Sequence, residues 1–305
     1  MIFPNPVDLK KAIRFPLTWT LVGLNVLLFV IAFASVENES SSEKSFLKER
    51  MIYRTGLIYR HFSHPADPLN HVSEAQAQLW GLEALRDDKF ILTLEKIEPF
   101  GDLIEFEAWK KLALEFRRER LAQPTFQFGL SGQSKGLWPW VTYQFSHASW
   151  SHLLSNIVYL IILGAAVELL VGSTWLLFIY LVGGFAGGAS FLLLNSHGLL
   201  PVVGASASIS AIMAFYAIYE PKTRVRFFYF FSPLREHFGT IYLPTLLIIP
   251  LYLISDWASY LANPHGVTGN VAYTAHLGGS LCGALLGVIL RYGIKLPPQK
   301  NPTMG

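Results

Sequence analysis

The sequence predicts an all-α membrane protein: a bundle of six transmembrane helices with a mostly helical extramembrane insert between the first and second spans. Three observations carry that prediction. Hydrophobic residues make up 52% of the 305-residue chain, only 15% are charged, and the mean hydropathy is +0.37. A soluble domain carries about 25% charged residues. The apolar residues are gathered into long blocks, six of which are candidate spans. Between the first two blocks lie about 100 residues of different composition, charged and polar, with apolar residues recurring three and four apart.

Residues 1–15 form a lead carrying Lys10, Lys11 and Arg14. An uncharged apolar run follows at 16–36, long enough for a hydrocarbon core of about 30 Å. Ala32-Phe33-Ala34 resembles a small-residue cleavage site. The run nevertheless exceeds the usual signal-peptide h-region of about 7–15 residues, which favours an uncleaved anchor. The basic lead puts the N-terminus on the cytoplasmic side. Residues 37–135 open with a polar linker and become amphipathic from about Leu79 to Leu121. They read as a helical extramembrane insert that either rests on the bilayer surface or is simply solvated.

Five further apolar blocks follow at 152–171, 175–194, 206–219, 240–261 and 273–292. The third is short, as a helix whose start is recessed in a water-accessible cavity would be. Six spans return the C-terminus to the cytoplasm. Lys222, Arg224, Arg226 and Arg235 in the 220–238 loop, with Arg291, Lys295 and Lys300 in the tail, fit that orientation. The organisation expected is therefore 1–36 for lead and first span, 37–135 for the insert, 136–292 for the membrane core and 293–305 for the tail. A net charge of +3, with no basic patch interleaved with aromatics, excludes a nucleic-acid partner. Cys282 is the single cysteine, so there is no intramolecular disulfide and no cysteine metal cluster.

Polar residues inside spans are rare and usually functional. Ser206 opens an apolar helix just after Gly204, beside the unpaired N–H groups of a helix start, which suit a developing oxyanion. Ser206, Ser210 and Ala214 form a four-residue stripe of small side chains, a surface for close helix approach. Gly279, Gly283 and Gly287 form another on the sixth span; setting the two stripes face to face brings His276 near Ser206. A histidine there is a general base for a serine nucleophile, or else a residue bonded to a loop carbonyl. His152 and Asn156, four apart, share one helix face and either donate to an oxyanion or stitch helices together. His147 lies in the preceding loop with Trp150 and is read as holding that loop. Glu168, at the other end of the same span, is read as a helix-end brace. No acid stands where it would complete a triad, and Asp256 in the fifth span has no assigned role.

Gly204-Ala205-Ser206-Ala207, His152-x-x-x-Asn156 and Ala275-His276-x-x-Gly279 fall on spans four, two and six. With them stand Trp138, Phe145-Ser146-His147, Gly164-x-x-x-Glu168-x-x-x-Gly172 and Gly279-x-x-x-Gly283. This set resembles the rhomboid family of intramembrane serine proteases, over about 16–36 and 136–292. The resemblance implies a Ser206 nucleophile and a His276 general base, without cofactor or metal. It also implies an oxyanion hole from His152, Asn156 and the Ser206 N–H, with His147, Gly204, Gly279 and Gly283 in support. The implied substrates are single-span transmembrane proteins in the lipid bilayer, and the expected setting is a bacterial inner membrane with both termini cytoplasmic. Oligomeric state is left open. Three positions depart from the family pattern. Ala207 replaces the usual glycine after the nucleophile. Pro139 replaces the usual arginine after the loop tryptophan, so the first loop must be held differently. Ser210 stands where an aromatic often stacks on the base, which leaves the orientation of His276 open. The alternatives are a catalytically inactive relative that binds membrane helices as adaptor or chaperone, and a transporter. Neither Ser nor His is lost, against the first; the polar residues cluster at one end without an inverted repeat, against the second.

Overall fold

The computed structural model describes residues 2–5, 15–34, 42–63, 72–85, 87–94, 102–132, 134–194, 201–230, 238–245, 247, 254 and 273–293. The chain divides into two compact units: residues 1–33 with 128–305, and residues 34–127.

In the first unit, β1 is Ile2–Asn5 and α1 is Pro16–Ala34. Within the second unit lie α2 (Ser42–Ser63), α3 (Glu74–Ala84), α4 (Asp88–Leu94), α5 (Leu103–Ala122) and α6 (Pro124–Phe128). The first unit resumes with α7 (Trp138–Thr142), α8 (Trp150–Val171), α9 (Ser173–Leu194) and α10 (Ser206–Tyr219). After these come β2 (Arg224–Phe230), β3 (Phe238–Pro244) and α11 (Tyr273–Val288), the last extended by a π-turn to Gly293. α8 also contains a π-turn, at Leu160–Gly164.

Among the described residues, α8, α9 and α11 with its π-turn are long and apolar enough to cross a membrane; Pro16–Ala32 and Ser206–Tyr219 are shorter apolar helices. Five of the six expected blocks are thus helices, because a chain in lipid must satisfy its backbone internally. The fifth expected span differs. Its first residues, 240–244, belong to β3, and nearly all the rest, Asp256 included, lies outside the described residues. The 220–238 segment, expected to be a plain loop, instead begins an antiparallel sheet of order β1-β2-β3. Ile2 pairs with Tyr229 and Asn5 with Arg226, while Arg224 pairs with Pro244 and Phe230 with Phe238. The N-terminal residues therefore pair with the segment that follows the fourth apolar block, the one sheet among the described residues.

The core of the membrane unit is built from Leu21 and Val22 of α1, Leu160, Leu163 and Val167 of α8, Ile179 and Tyr180 of α9, and Ile209, Ile212 and Phe215 of α10. Among the described residues, Glu168 is the one acid buried there. Its carboxylate accepts from Leu17 N–H (3.0 Å), Thr18 N–H (2.9 Å), Thr18 Oγ1 (2.7 Å) and Ser173 Oγ (2.7 Å). It caps the positive N-terminal end of α1 while tying that helix to the start of α9, which is the helix-end brace expected of it. Glu168→Ala leaves these donors buried without an acceptor. The expected cost is about 3 kcal/mol, read as a lower unfolding midpoint of purified protein; an unchanged midpoint would show the cap to be idle.

The insert has its own core of Met51, Ala84, Leu85, Phe90, Leu94, Phe106, Trp109 and Ala113. Trp109 Nε1 donates to the buried Thr55 hydroxyl at 3.0 Å, and Ser73 forms a capping box with Gln76 at the start of α3. Tyr59 donates to Asp87 at 3.1 Å; burial and then the carboxylates of Glu83 and Asp87 push its hydroxyl above the usual range.

Candidate active site

The first loop is held by a pair of residues that the sequence reading passed over. Tyr143 OH donates to Gly184 O at 2.5 Å, and Tyr143 O accepts the Gly204 N–H at 2.8 Å. Gln144 is fully buried; its Nε2 donates to Trp140 O at 2.8 Å, and its Oε1 accepts from Ser208 Oγ at 3.1 Å. Tyr180 OH of α9 donates to Gln144 O at 3.0 Å. The loop is thereby fastened to α9, to the turn before Ser206 and to the first turn of α10. A lone glutamine among apolar residues was the available signal.

Gly204 is bound at φ +121°, where side chains are disfavoured. A Cβ there would lie 2.7 Å from His152 Nε2 and 3.5 Å from Asn156 Nδ2. The turn two residues before Ser206 is thus pressed directly on the His152–Asn156 pair. His152 stands in the first turn of α8, its N–H donating to the Ser149 cap at 3.2 Å. Asn156 is buried, and its Nδ2, like His152 Nδ1, has no hydrogen-bond partner. A buried donor left without an acceptor is costly and calls for a functional account. His147 is packed edge-on to His152 at 5.1 Å between ring centroids, with Phe29 of α1 at 6.5 Å. It lies beside the pair.

Ser206 is half-buried at the start of α10. The first helical hydrogen bond runs from Ile209 N–H to Ala205 O at 2.9 Å, so the Ser206 N–H belongs to the open helix end. His276 is buried in the first turn of α11. The neighbours of these two residues meet on Gly187 of α9: a Cβ there would fall 2.5 Å from Ala207 Cβ and 2.7 Å from Ala275 O. Where Ser210 leaves no aromatic to stack on His276, Tyr273 stands edge-on to it at 6.4 Å. Ser210 Oγ instead donates to Ser206 O at 2.7 Å.

The seam between α10 and α11 is as close as the glycine repeat implied, but its register differs. A Cβ at Gly279 would lie 2.2 Å from Ala207 O, and one at Gly283 would lie 2.0 Å from Ala211 O. The glycines therefore face Ala207 and Ala211, one residue round from the expected Ser206, Ser210 and Ala214. At 3.6 residues per turn, that step turns Ser206 off the seam. No group of three or more His, Cys, Asp or Glu that could hold a metal occurs among the described residues.

A family model for the rhomboid domain matches residues 134–293, just over half of the chain. The chain belongs to the rhomboid family. It is 28% identical over 153 residues to Rhomboid-related protein 2 of Mus musculus, covering 49% of this chain and 47% of that protein. With RHOMBOID-like protein 12, mitochondrial, of Arabidopsis thaliana it shares 24% identity over 262 residues, covering 79% and 70%. With Rhomboid-related protein 3 of Homo sapiens it shares 27% over 154 residues, covering 50% and 36%. The chain thus spans half or less of the length of two of these relatives. The rhomboid match begins beyond the compact unit of residues 34–127 and takes in every candidate site residue.

Proposed function

We propose that this rhomboid is an active intramembrane serine endopeptidase, working through a Ser206–His276 dyad on single-span transmembrane proteins. Ser206 Oγ attacks the scissile carbonyl as its proton passes to the His276 imidazole. The proton goes on to the departing amine, leaving an acyl-enzyme ester. Water, deprotonated by His276, then attacks the ester and releases the acid, and the proton returns to Ser206. The tetrahedral oxyanion takes hydrogen bonds from Asn156 Nδ2, His152 and the Ser206 N–H.

The observation that carries this reading is the meeting of Ala207 and Ala275 on Gly187, which draws the flanks of a serine and a histidine together at two helix starts. The unpartnered Asn156 Nδ2 supports it. The test is labelling in membranes with a fluorophosphonate, followed by mapping of the adduct. Modification of Ser206 that requires His276 is expected; no labelling, or labelling elsewhere, overturns the reading and favours a helix-binding relative without activity. His152→Ala and Asn156→Ala should each slow cleavage by about 10²–10³, the 2.7–4 kcal/mol of one lost oxyanion donor. Unchanged rates with reduced thermal stability would make both residues structural stitches. The basic lead, loop and tail orient both termini to the cytoplasm in this proposal. A bacterial inner membrane remains the setting read from the sequence, while the relatives named above are eukaryotic.

A further inference from the structure

Helix α5 carries two apolar faces. One, with Phe106, Trp109 and Ala113, is buried in the core of the insert, with Leu112 and Phe116 packed at its edge. The other is exposed: Leu103 at 60%, Ile104 at 79%, Leu114 at 40% and Leu121 at 43%. Leu114 follows Leu103 by eleven residues and precedes Leu121 by seven. Those steps are close to three and two full turns, so the three leucines stack in one row, with Ile104 about 100° round the helix from it. Three large aliphatic side chains aligned in water on one helix, with exposed Ile104 about a quarter-turn away, are not explained by the insert's own packing.

The charges on α5 are sorted about that row. Lys110, Lys111, Arg117 and Arg118 stand three or four residues from Leu114, on its side of the helix. Arg117 Nε also donates to Leu85 O at 3.0 Å, and Lys111 lies 4.0 Å from Glu115. Of the acids, Glu107 stands in the row, Glu105 is drawn to Arg54 of α2 at 3.2 Å, and Glu115 and Glu119 lie toward the opposite flank. The row is therefore three leucines interspersed with Glu107 and Lys110, with a margin that is otherwise basic. That is the composition of a helix lying in the interface plane, its leucines among acyl chains and its Lys and Arg stems reaching phosphates. The chain's connectivity supplies the same partner. The insert leaves the apolar helix α1 at Ala34, and the membrane unit resumes at Phe128, six residues beyond the end of α5.

We propose that the Leu103–Leu114–Leu121 row of α5 is a docking surface for the anionic lipid face of the bilayer, holding the insert against the membrane. Binding is the sum of buried aliphatic area and attraction to lipid phosphates, so it weakens in neutral lipid and at high salt. The inference does not depend on the protease reading.

The experiment uses the full chain with Cys282→Ala, which leaves no native thiol. A nitroxide is attached at Leu114→Cys or Leu121→Cys, and at Ala108→Cys as an exposed control off the row. Accessibility to a water-soluble nickel chelate and to oxygen is measured in nanodiscs of phosphatidylglycerol, in nanodiscs of phosphatidylcholine, and in detergent. With phosphatidylglycerol, the row labels should become several-fold less accessible to the chelate and more accessible to oxygen than the control. The difference should shrink in phosphatidylcholine, in 0.5 M salt, and in a Lys110→Gln, Lys111→Gln, Arg118→Gln variant. Equal accessibility of row and control in phosphatidylglycerol would overturn the proposal. Shielding that persists unchanged in phosphatidylcholine and detergent would also overturn it, by showing that protein covers the row.

Discussion

Ser206→Ala and His276→Ala should each reduce cleavage of a transmembrane substrate by on the order of 10⁶-fold, to the limit of detection. Both proteins should stay folded. Ser206 is half-buried and stands off the helix seam, so removing its hydroxyl opens no cavity in the core. His276 sits at a helix start rather than within the Leu, Ile and Phe cluster. Both serve one proton transfer, so the double variant should be no slower than either single one. The measurement is the initial rate of product formation at equal abundance in membranes, with the unfolding midpoint recorded beside it. Turnover near that of the unmodified protein in either variant would remove the dyad from consideration. A multiplicative loss in the double variant would show that the two residues act in separate steps.

What could be read from the sequence was whatever lipid forces into pattern. A spanning segment must be apolar throughout and helical, so α1, α8, α9, α10 and α11 appear near their expected bounds, α10 to the residue. A single acid at the end of an apolar block has few stable environments, and Glu168 as a brace followed from that. The seam register was ambiguous for a definite reason. Ala207 and Ala211 are as small as Ser206, Ser210 and Ala214, so α10 presents two adjacent rows that a glycine stripe could approach, and spacing alone cannot choose between them. The sheet was hidden by its charges: Arg224 and Arg226 fitted a cytoplasmic loop, and pairing with Ile2–Asn5 joins residues more than two hundred apart. The Tyr143–Gln144 fastening is likewise tertiary. Its partners lie on Gly184, Gly204 and Ser208, and no local period announces them.

Gly283→Leu should inactivate the protein although residue 283 performs no chemistry. A Cβ built at 283 would already lie 2.0 Å from Ala211 O and 2.6 Å from Ala211 Cα. Both are backbone atoms of a buried helix, unable to step aside as a flexible side chain would. Four residues earlier, Gly279 meets Ala207 O in the same way at 2.2 Å, so the two helices touch along a continuous line that ends beside Ser206 and His276. In lipid no hydrophobic force presses helices together, and close backbone contact is what holds such a pair. A leucine in that line must separate α10 from α11. A nucleophile and its base need to come within about 2.6–3.2 Å, and a displacement near 1 Å costs on the order of 10²-fold. Val288, on the same helix but 45% exposed, supplies the comparison: Val288→Leu adds one methylene to a surface with room for it and should be nearly silent. The two variants are compared by substrate cleavage at equal membrane abundance, and by fluorophosphonate labelling, which reads the Ser206 environment without a bound substrate. A Gly283→Leu protein that labels and cleaves like Val288→Leu would mean that the close approach of α10 and α11 is not what sets His276 against Ser206.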